Sequence, residues 1–243
     1  MEKHVIVTTS WDDGHNLDLK LARLLKKYNI KGTFYISPEN RMFNKEDALS
    51  EEGILKIDKD FEIGAHTITH PELTKISKEA AFNEISGSKT YLENIIKKDI
   101  RVFCYPGGKY DYRTKELVKK AGFIAARTTE RFCFACPEDP LIFGTTIHTY
   151  NNISDIFRII KFSRFNPIRS LRCFFNWEIR AKSMFDYVME NGGMYHLWGH
   201  SWEIEKNNYW HKLENLLSYI SNRKNIQYLT NSQVALYLEK NEK

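Results

Sequence analysis

The 243-residue sequence contains no long apolar run. Nothing in it approaches the roughly 20 consecutive apolar residues that a membrane helix requires. After Met1-Glu2-Lys3-His4 the first apolar stretch is only Val5-Ile6-Val7, too short for the core of a secretory signal. A cytoplasmic location with no membrane partner is therefore expected, unless a leader has been removed. Cysteine is scarce, at four residues. Cys133 and Cys136 form a C-x-x-C, but no second such pair and no nearby histidine pair completes a zinc site, so loop or core thiols are the simpler reading. Low-complexity segments and internal repeats are absent, which argues for one domain over residues 1–243. Basic residues exceed acidic ones by only five. Pairs such as Lys26-Lys27, Lys97-Lys98 and Lys119-Lys120 fall on amphipathic helical patterns and make solvated faces. With no basic stripe interleaved with aromatics, a nucleic-acid partner is not expected.

What is present is enough apolar material for a core: 42% hydrophobic and 14% aromatic residues exclude a disordered chain. Runs of strand length recur at Val5-Ser10, Gly32-Ser37, Phe61-His66, Val102-Pro106, Ile124-Thr129, Gly193-Trp198 and Ile226-Thr230, with helical patterns between most of them. That alternation predicts an α/β fold built on a parallel sheet or barrel. Leu17, Leu21, Leu24, Leu25 and Tyr28 give the first helix, a second spans about Lys78 to Ile96, and a third runs from Asp111 as N-cap to Gly122 as its stop. The stretch from 151 to 182 breaks the rhythm, with Phe157, Ile160, Phe162, Phe165 and Phe174 set among Arg and Lys, and reads as a helical insertion.

Two strand ends carry chemistry. The first strand leads into Ser10-Trp11-Asp12-Asp13-Gly14-His15. Adjacent carboxylates are unfavourable when both are buried, unless a cation or a proton resolves the conflict; an Asp-Asp-Gly is also a common turn. The third strand ends in Gly64-Ala65-His66-Thr67-Ile68-Thr69-His70-Pro71. Two histidines four apart can converge on one metal, and with an Asp they make a His-His-carboxylate site with open positions. A lone H-x-x-x-H is more often surface histidines, but here it shares a sheet end with the carboxylate pair, where parallel α/β folds build their sites.

Ser10-Trp11-Asp12-Asp13-Gly14 resembles the first motif of the polysaccharide deacetylase family (carbohydrate esterase family four), usually Thr-Phe-Asp-Asp-Gly, and His66-Thr67-Ile68-Thr69-His70 matches its His-(Ser/Thr)-x-x-His motif. The resemblance implies a distorted parallel (β/α) barrel of about seven strands. It implies removal of an acetyl group from an N- or O-acetylated carbohydrate. It also implies one divalent metal ion, zinc first, on Asp13, His66 and His70, with Asp12 free as base. A polarised acetyl carbonyl and attacking water beside an unligated carboxylate is a consistent division of labour. Phe103-Cys104-Tyr105-Pro106-Gly107-Gly108 is similar to the third motif, Phe-Arg-x-Pro-(Tyr/Phe)-Gly, in which the turn at Tyr105, Pro106 and Gly107 contacts substrate and the Gly107 amide holds the oxyanion.

Cys104 stands where the family often carries an arginine that orients the base; Arg127, at the end of the next strand, is a candidate substitute, though a plain surface arginine is the alternative. The last motif must supply an acid from the run Gly193 to Glu203. His200, at the strand's end in Trp198-Gly199-His200, aligns with the family's Leu-x-His, while His196 lies deeper and reads as a pocket or core residue. Trp11, Trp202 and Tyr110 are candidates for stacking on a sugar, or for capping the core. His15 sits at the presumed rim; His4, His148 and His211 lack motif partners and read as packing or surface residues. The fourth motif, a Trp after an Asp, has no good match, Asn176-Trp177 being a poor one. Substrate recognition would differ there, so a hydrolase of a non-sugar amide is a second reading. A non-catalytic carbohydrate-binding module is a third. Oligomeric state is left open.

Overall fold

The structure, a computed structural model, describes residues 4–241. In chain order the elements are β1 (Val5–Trp11), α1 (Asp18–Lys27), β2 (Thr33–Ile36), α2 (Glu51–Asp58), β3 (Glu62–Ala65), α3 (Lys78–Ile96), β4 (Val102–Cys104), α4 (Tyr112–Lys120), β5 (Ala125–Arg127) and β6 (Ile147–His148). There follow α5 (Ile156–Phe162), α6 (Pro167–Phe175), α7 (Trp177–Asn191), β7 (Gly193–Gly199), α8 (Ser201–Lys206), α9 (Trp210–Ile220), β8 (Ile226–Tyr228) and α10 (Asn231–Asn241).

All the strand ladders are parallel, in the order β5-β4-β3-β2-β1-β7-β6. β1 is the spine. Every one of its residues is buried, as a strand covered on both faces requires, and its Val-Ile-Val-Thr-Thr run suits a pleated buried site. One edge of β1 pairs with β7 from Val5 to Trp11. Its other edge is shared: β8 takes Val5 to Val7 and β2 takes Ser10 and Trp11. The sheet curls into a distorted barrel, and between β5 and β6 the seam is filled by the segment around Phe143, which donates to Ala126 O at 2.8 Å and accepts from Thr128 N at 2.9 Å. The predicted seven-strand parallel barrel is thus the observed architecture.

Helices form where pattern and caps agree. α1 buries Leu21, Ala22 and Leu25 on one stripe. α3 begins at Ser77, whose hydroxyl accepts from Ala80 N, and stops at Lys97 in a left-handed conformation. α4 carries a capping box in which Asp111 and Thr114 satisfy each other's backbone N–H, each such cap contributing about 1 kcal/mol. The expected insertion over 151–182 ends earlier than its sequence pattern suggested. α5 and α6 stand out from the barrel, but α7 buries Trp177, Arg180, Ala181, Met184 and Val188 and is a core helix. No helix among the described residues is long and apolar enough to cross a membrane.

Because every strand runs the same way, the carboxyl ends of β1, β3, β4, β5, β6 and β7 open onto one rim. That rim holds Asp12 and Asp13 after β1, His66 after β3 and His200 after β7.

Candidate active site

Strand alternation decides what β1 presents. Ser10 points into the barrel, its hydroxyl 2.8 Å from His196 Nε2, and Asp12 follows it inward. Trp11 points the other way: it has no exposed surface, and its indole N–H donates to Thr9 Oγ1 at 3.1 Å. The candidate role of Trp11 as a sugar platform is therefore corrected; it is a core residue. Asp13 has a positive φ of 85° and Gly14 one of 73°, which turns the chain sharply off the strand. A Cβ on Gly14 would also lie 2.8 Å from Ile36 Cγ2.

Asp13 Oδ1 lies 3.7 Å from His66 Nε2 and 3.5 Å from His70 Nε2. The histidine turn is held in a rare backbone shape, with Thr67 at φ 66° and His70 at φ 58°. Two devices hold that shape. Thr67 Oγ1 accepts from His70 N at 3.1 Å, and Glu84 on α3 accepts from the amides of Ile68 and Thr69, both at 2.9 Å, and from the Thr69 hydroxyl at 2.8 Å. His66 Nδ1 donates to Cys104 O at 2.7 Å, which leaves Nε2 as a lone pair facing Asp13. Burial, with His70 beside it, pushes the His66 pKa down to about 4, so the ring is neutral, as a metal ligand must be. Asp13 Oδ1 is buried with no hydrogen-bond partner, whereas Oδ2 accepts from the Trp202 indole at 2.9 Å. A buried, unpaired carboxylate oxygen facing two imidazole nitrogens fits a divalent cation. Asp12, His66 and Cys104 also come together, but burial raises the Cys104 thiol well above its ordinary pKa and Arg127 lies against it, so that set suits a cation poorly.

Asp12 is buried and pairs with Arg127, one of whose terminal nitrogens donates to Asp12 Oδ2. Arg127 also reaches Cys104 Sγ at 2.9 Å and Thr128 O at 3.0 Å, and its guanidinium lies 4.7 Å from the Trp198 ring. Burial alone would raise the Asp12 pKa; the adjacent guanidinium, with His66 and His200, outweighs it and holds the carboxylate below its usual range. Arg127 is therefore the buried partner of Asp12, and not a surface residue.

His200 sits across from the aspartates, its Nε2 3.9 Å from Asp12 Oδ2 and 3.8 Å from Asp13 Oδ2. Its Nδ1 donates to Glu203 Oε2 at 2.6 Å. Burial lowers its pKa, but Asp13 and the Glu203 bond prevail and lift it to about 9. Glu203 in turn lies 3.2 Å from His148 Nε2. His148 is a correction: it is neither plain packing nor surface, but buried at the end of β6, stacked at 4.0 Å on Trp198 and edge-on to His200 at 5.5 Å. Gly199 makes this possible, since Thr149 Oγ1 stands 2.0 Å from where a Cβ would be.

The remaining candidates separate. His196 is a core residue, its Nδ1 donating to Gly144 O at 3.1 Å and its Nε2 accepting from Ser10; burial and Arg127 push its pKa down to about 3. The Tyr105 ring is buried, with its hydroxyl donating to Leu141 O at 3.2 Å, and Pro106 is buried at the start of the turn, so neither side chain is a substrate contact. Gly107 stands exposed at φ 60°. Tyr110 is partly exposed, packed at 5.3 Å on Tyr105. His15 accepts from Leu17 N at 3.1 Å and packs on Phe43, a local turn role. Trp177 lies in the core, away from the site. Cys133 and Cys136 are free and half-buried in the loop after β5.

Sequence reasoning missed His148, Glu203 and Glu84. His148 follows the β-branched residues Thr145, Thr146 and Ile147, a composition that suits a strand but is too short to show a period, and Glu203 stands one turn beyond His200. Glu84 had no signal at all.

Residues 1–126 match the family described as Polysaccharide deacetylase. The Bacillus subtilis protein YxkH, named as a polysaccharide deacetylase, is 29% identical over 131 residues, covering 53% of this chain and 46% of the relative. A peptidoglycan-N-acetylglucosamine deacetylase of Bacillus cereus is 30% identical over 93 residues, 37% of this chain and 31% of that one. The matched stretches thus span less than half of either relative. A Mycobacterium smegmatis structure titled as a polysaccharide deacetylase superposes with a TM-score of 0.69 at 14% identity, over 99% of this chain and 92% of the other, a likeness of fold.

Proposed function

The chain belongs to the polysaccharide deacetylase family, and on that premise we propose that it hydrolyses the acetyl group of an N- or O-acetylated glycan with Asp12 as base, His200 as acid and a divalent ion, zinc first, on Asp13, His66 and His70. One observation carries this reading. The Arg127-paired Asp12, the orphaned Asp13 oxygen with its two imidazoles, and His200 all meet at one sheet end. When bound, a divalent cation supplies Lewis acidity to the acetyl carbonyl and the attacking water.

The chain's own groups do the rest. Asp12, kept ionised by Arg127, accepts the proton of the attacking water. Its free Oδ1 is buried without a partner, which suits an acceptor awaiting that water. His200, held protonated by the aspartates and Glu203, gives its Nε2 proton to the departing amine or alkoxide. Its Nδ1–H stays on Glu203, which fixes the ring. The exposed turn at Gly107 offers a backbone N–H for the developing oxyanion, and Trp202, bonded to Asp13 and packed on His200, offers a ring face for a sugar. Peptidoglycan is the substrate class named for one relative and is the first polymer to try.

The test is acetate release from N-acetylated chitooligosaccharides and from peptidoglycan fragments by Asp12→Asn and Asp13→Ala. Each is expected to lose at least ~100-fold in rate. Metal analysis should show one equivalent bound to the wild type and none to H66A/H70A. Full activity in both aspartate variants overturns the assignment.

A further inference from the structure

Helices α5 and α6 form a projecting hairpin whose chemistry the hydrolytic site does not use. Phe157 is 82% exposed, Phe165 76%, Ile168 69% and Phe175 66%. Of the thirteen large apolar side chains exposed among the described residues, eight fall between Ile153 and Ile179. Between the two helices runs an apolar groove of about 430 Å³, walled by Ile160, Phe165, Leu171 and Phe174. From Ile156 to Trp177 the chain carries Arg158, Lys161, Arg164, Arg169 and Arg172 and no acidic residue. All five cations are exposed.

The hairpin is held firmly. Asn166 caps α6, accepting from Arg169 N at 3.0 Å. Arg131 grips Asp155 at the root of α5 through three bonds of 2.9 to 3.1 Å. The buried Arg180 of α7 donates to Cys173 O at 3.3 Å and to Tyr150 O at 3.0 Å, and Asn151 donates to Phe175 O at 2.9 Å. A contiguous exposed apolar patch held this way marks an interaction surface.

We propose that this hairpin docks the protein on an anionic lipid bilayer. Apolar side chains that protrude by about two thirds or more, with five exposed cations beside them and the flanking Asp155 and Glu178 paired to Arg131 and Lys182, match an acyl boundary under negatively charged headgroups. A folded protein partner would have to offer both a pocket for each phenyl ring and an excess of acidic groups; a bilayer offers both requirements everywhere. The groove gives room for an acyl chain. The hairpin leaves the barrel after β6, at whose end the His148 ring lies 5.5 Å from that of His200. The sequence, with no spanning run, led to the expectation of no membrane partner; surface docking needs no such run.

The test is co-sedimentation of the full chain with vesicles of phosphatidylcholine mixed with phosphatidylglycerol, and with phosphatidylcholine alone, at low and high salt. The protein should pellet with the anionic vesicles and be released by salt. K161Q/R172Q should weaken partitioning by roughly 30-fold, two basic residues at ~1 kcal/mol each. F157S/F165S should weaken it as well, with both variants keeping the wild-type unfolding midpoint. Equal partitioning on the two lipids, no partitioning, or a solution dimer that F157S/F165S dissolves without any vesicle binding would each overturn the proposal.

Discussion

Replacing Arg127 by methionine isolates the feature on which the proposed role of Asp12 as base depends. The methionine keeps an apolar stem beside Trp198 and Tyr35 but removes the guanidinium that donates to Asp12 Oδ2. Asp12 and Arg127 are both buried, so solvent cannot replace what is lost. Breaking one side of a buried pair costs about 3–5 kcal/mol when the surviving charge stays uncompensated. Asp12 can escape part of that cost by protonating, because burial, the largest influence on it, favours the neutral acid. Escape disables the base, with a rate loss of roughly 100- to 10,000-fold. Urea unfolding and acetate release, measured on the same metal-loaded samples, should show both effects. R127M/D12N should recover most of the stability and none of the rate, since a carboxamide needs no counter-ion. R127K should fall between, as an ammonium restores the charge without the fork that also reaches Cys104 Sγ and Thr128 O. If R127M unfolds within ~1 kcal/mol of the wild type and keeps its rate, the assignment of Arg127 as the partner of Asp12 is wrong.

Glu203→Gln removes the charge beside His200 Nδ1 while keeping an acceptor there. The imidazolium then loses a carboxylate that raises its pKa, so the alkaline limb of the rate profile should move to lower pH and kcat should fall ~10- to 100-fold with little change in KM; an unmoved limb refutes the role given to Glu203. Asp18, at the start of α1, is buried with no cation paired to it among the described residues, and burial, opposed by the Ser201 hydroxyl and reinforced by Asp13, raises its pKa from 3.8 to about 8. A raised native pKa means stability that is full below about 4 and is lost as pH climbs towards 8. In metal-stripped protein, D18N should therefore gain on the wild type across that window, by up to the order of 5 kcal/mol at 1.36 kcal/mol per pKa unit, and a flat difference in unfolding free energy would refute it.

The parts of the molecule legible in the sequence are those decided locally. Helix α3 begins and ends at the residues its pattern indicates because Ser77, the apolar stripe and Lys97 all act within a few residues. Strand ends were legible because a parallel sheet sends every carboxyl end to one rim, and a motif at a strand end is thereby a motif at the site. What was lost depends on direction and on the third dimension. Trp11 and Asp12 are neighbours in sequence and opposites in space, since one step along a strand reverses the side chain. β6 has only two residues, too few for any period to register, and with it His148 was lost. Glu84 reaches the His66–His70 turn from the middle of a helix, where nothing in the surrounding pattern distinguishes it from a solvated residue.

The exchange at the base makes the same point about chemistry. An arginine beside Asp12 is required by charge and burial, not by a place in the chain. Cys104 and Arg127 are paired across β4 and β5 in register, so a side chain from either strand's end reaches the same carboxylate. With the guanidinium supplied from β5, Asp12 stays ionised beside a small buried thiol. The Arg127 guanidinium lies 4.7 Å from the Trp198 ring and 5.5 Å from the Tyr35 ring. The charge state of Asp12 thus depends on the pair of strands β4 and β5 and not on one motif residue alone.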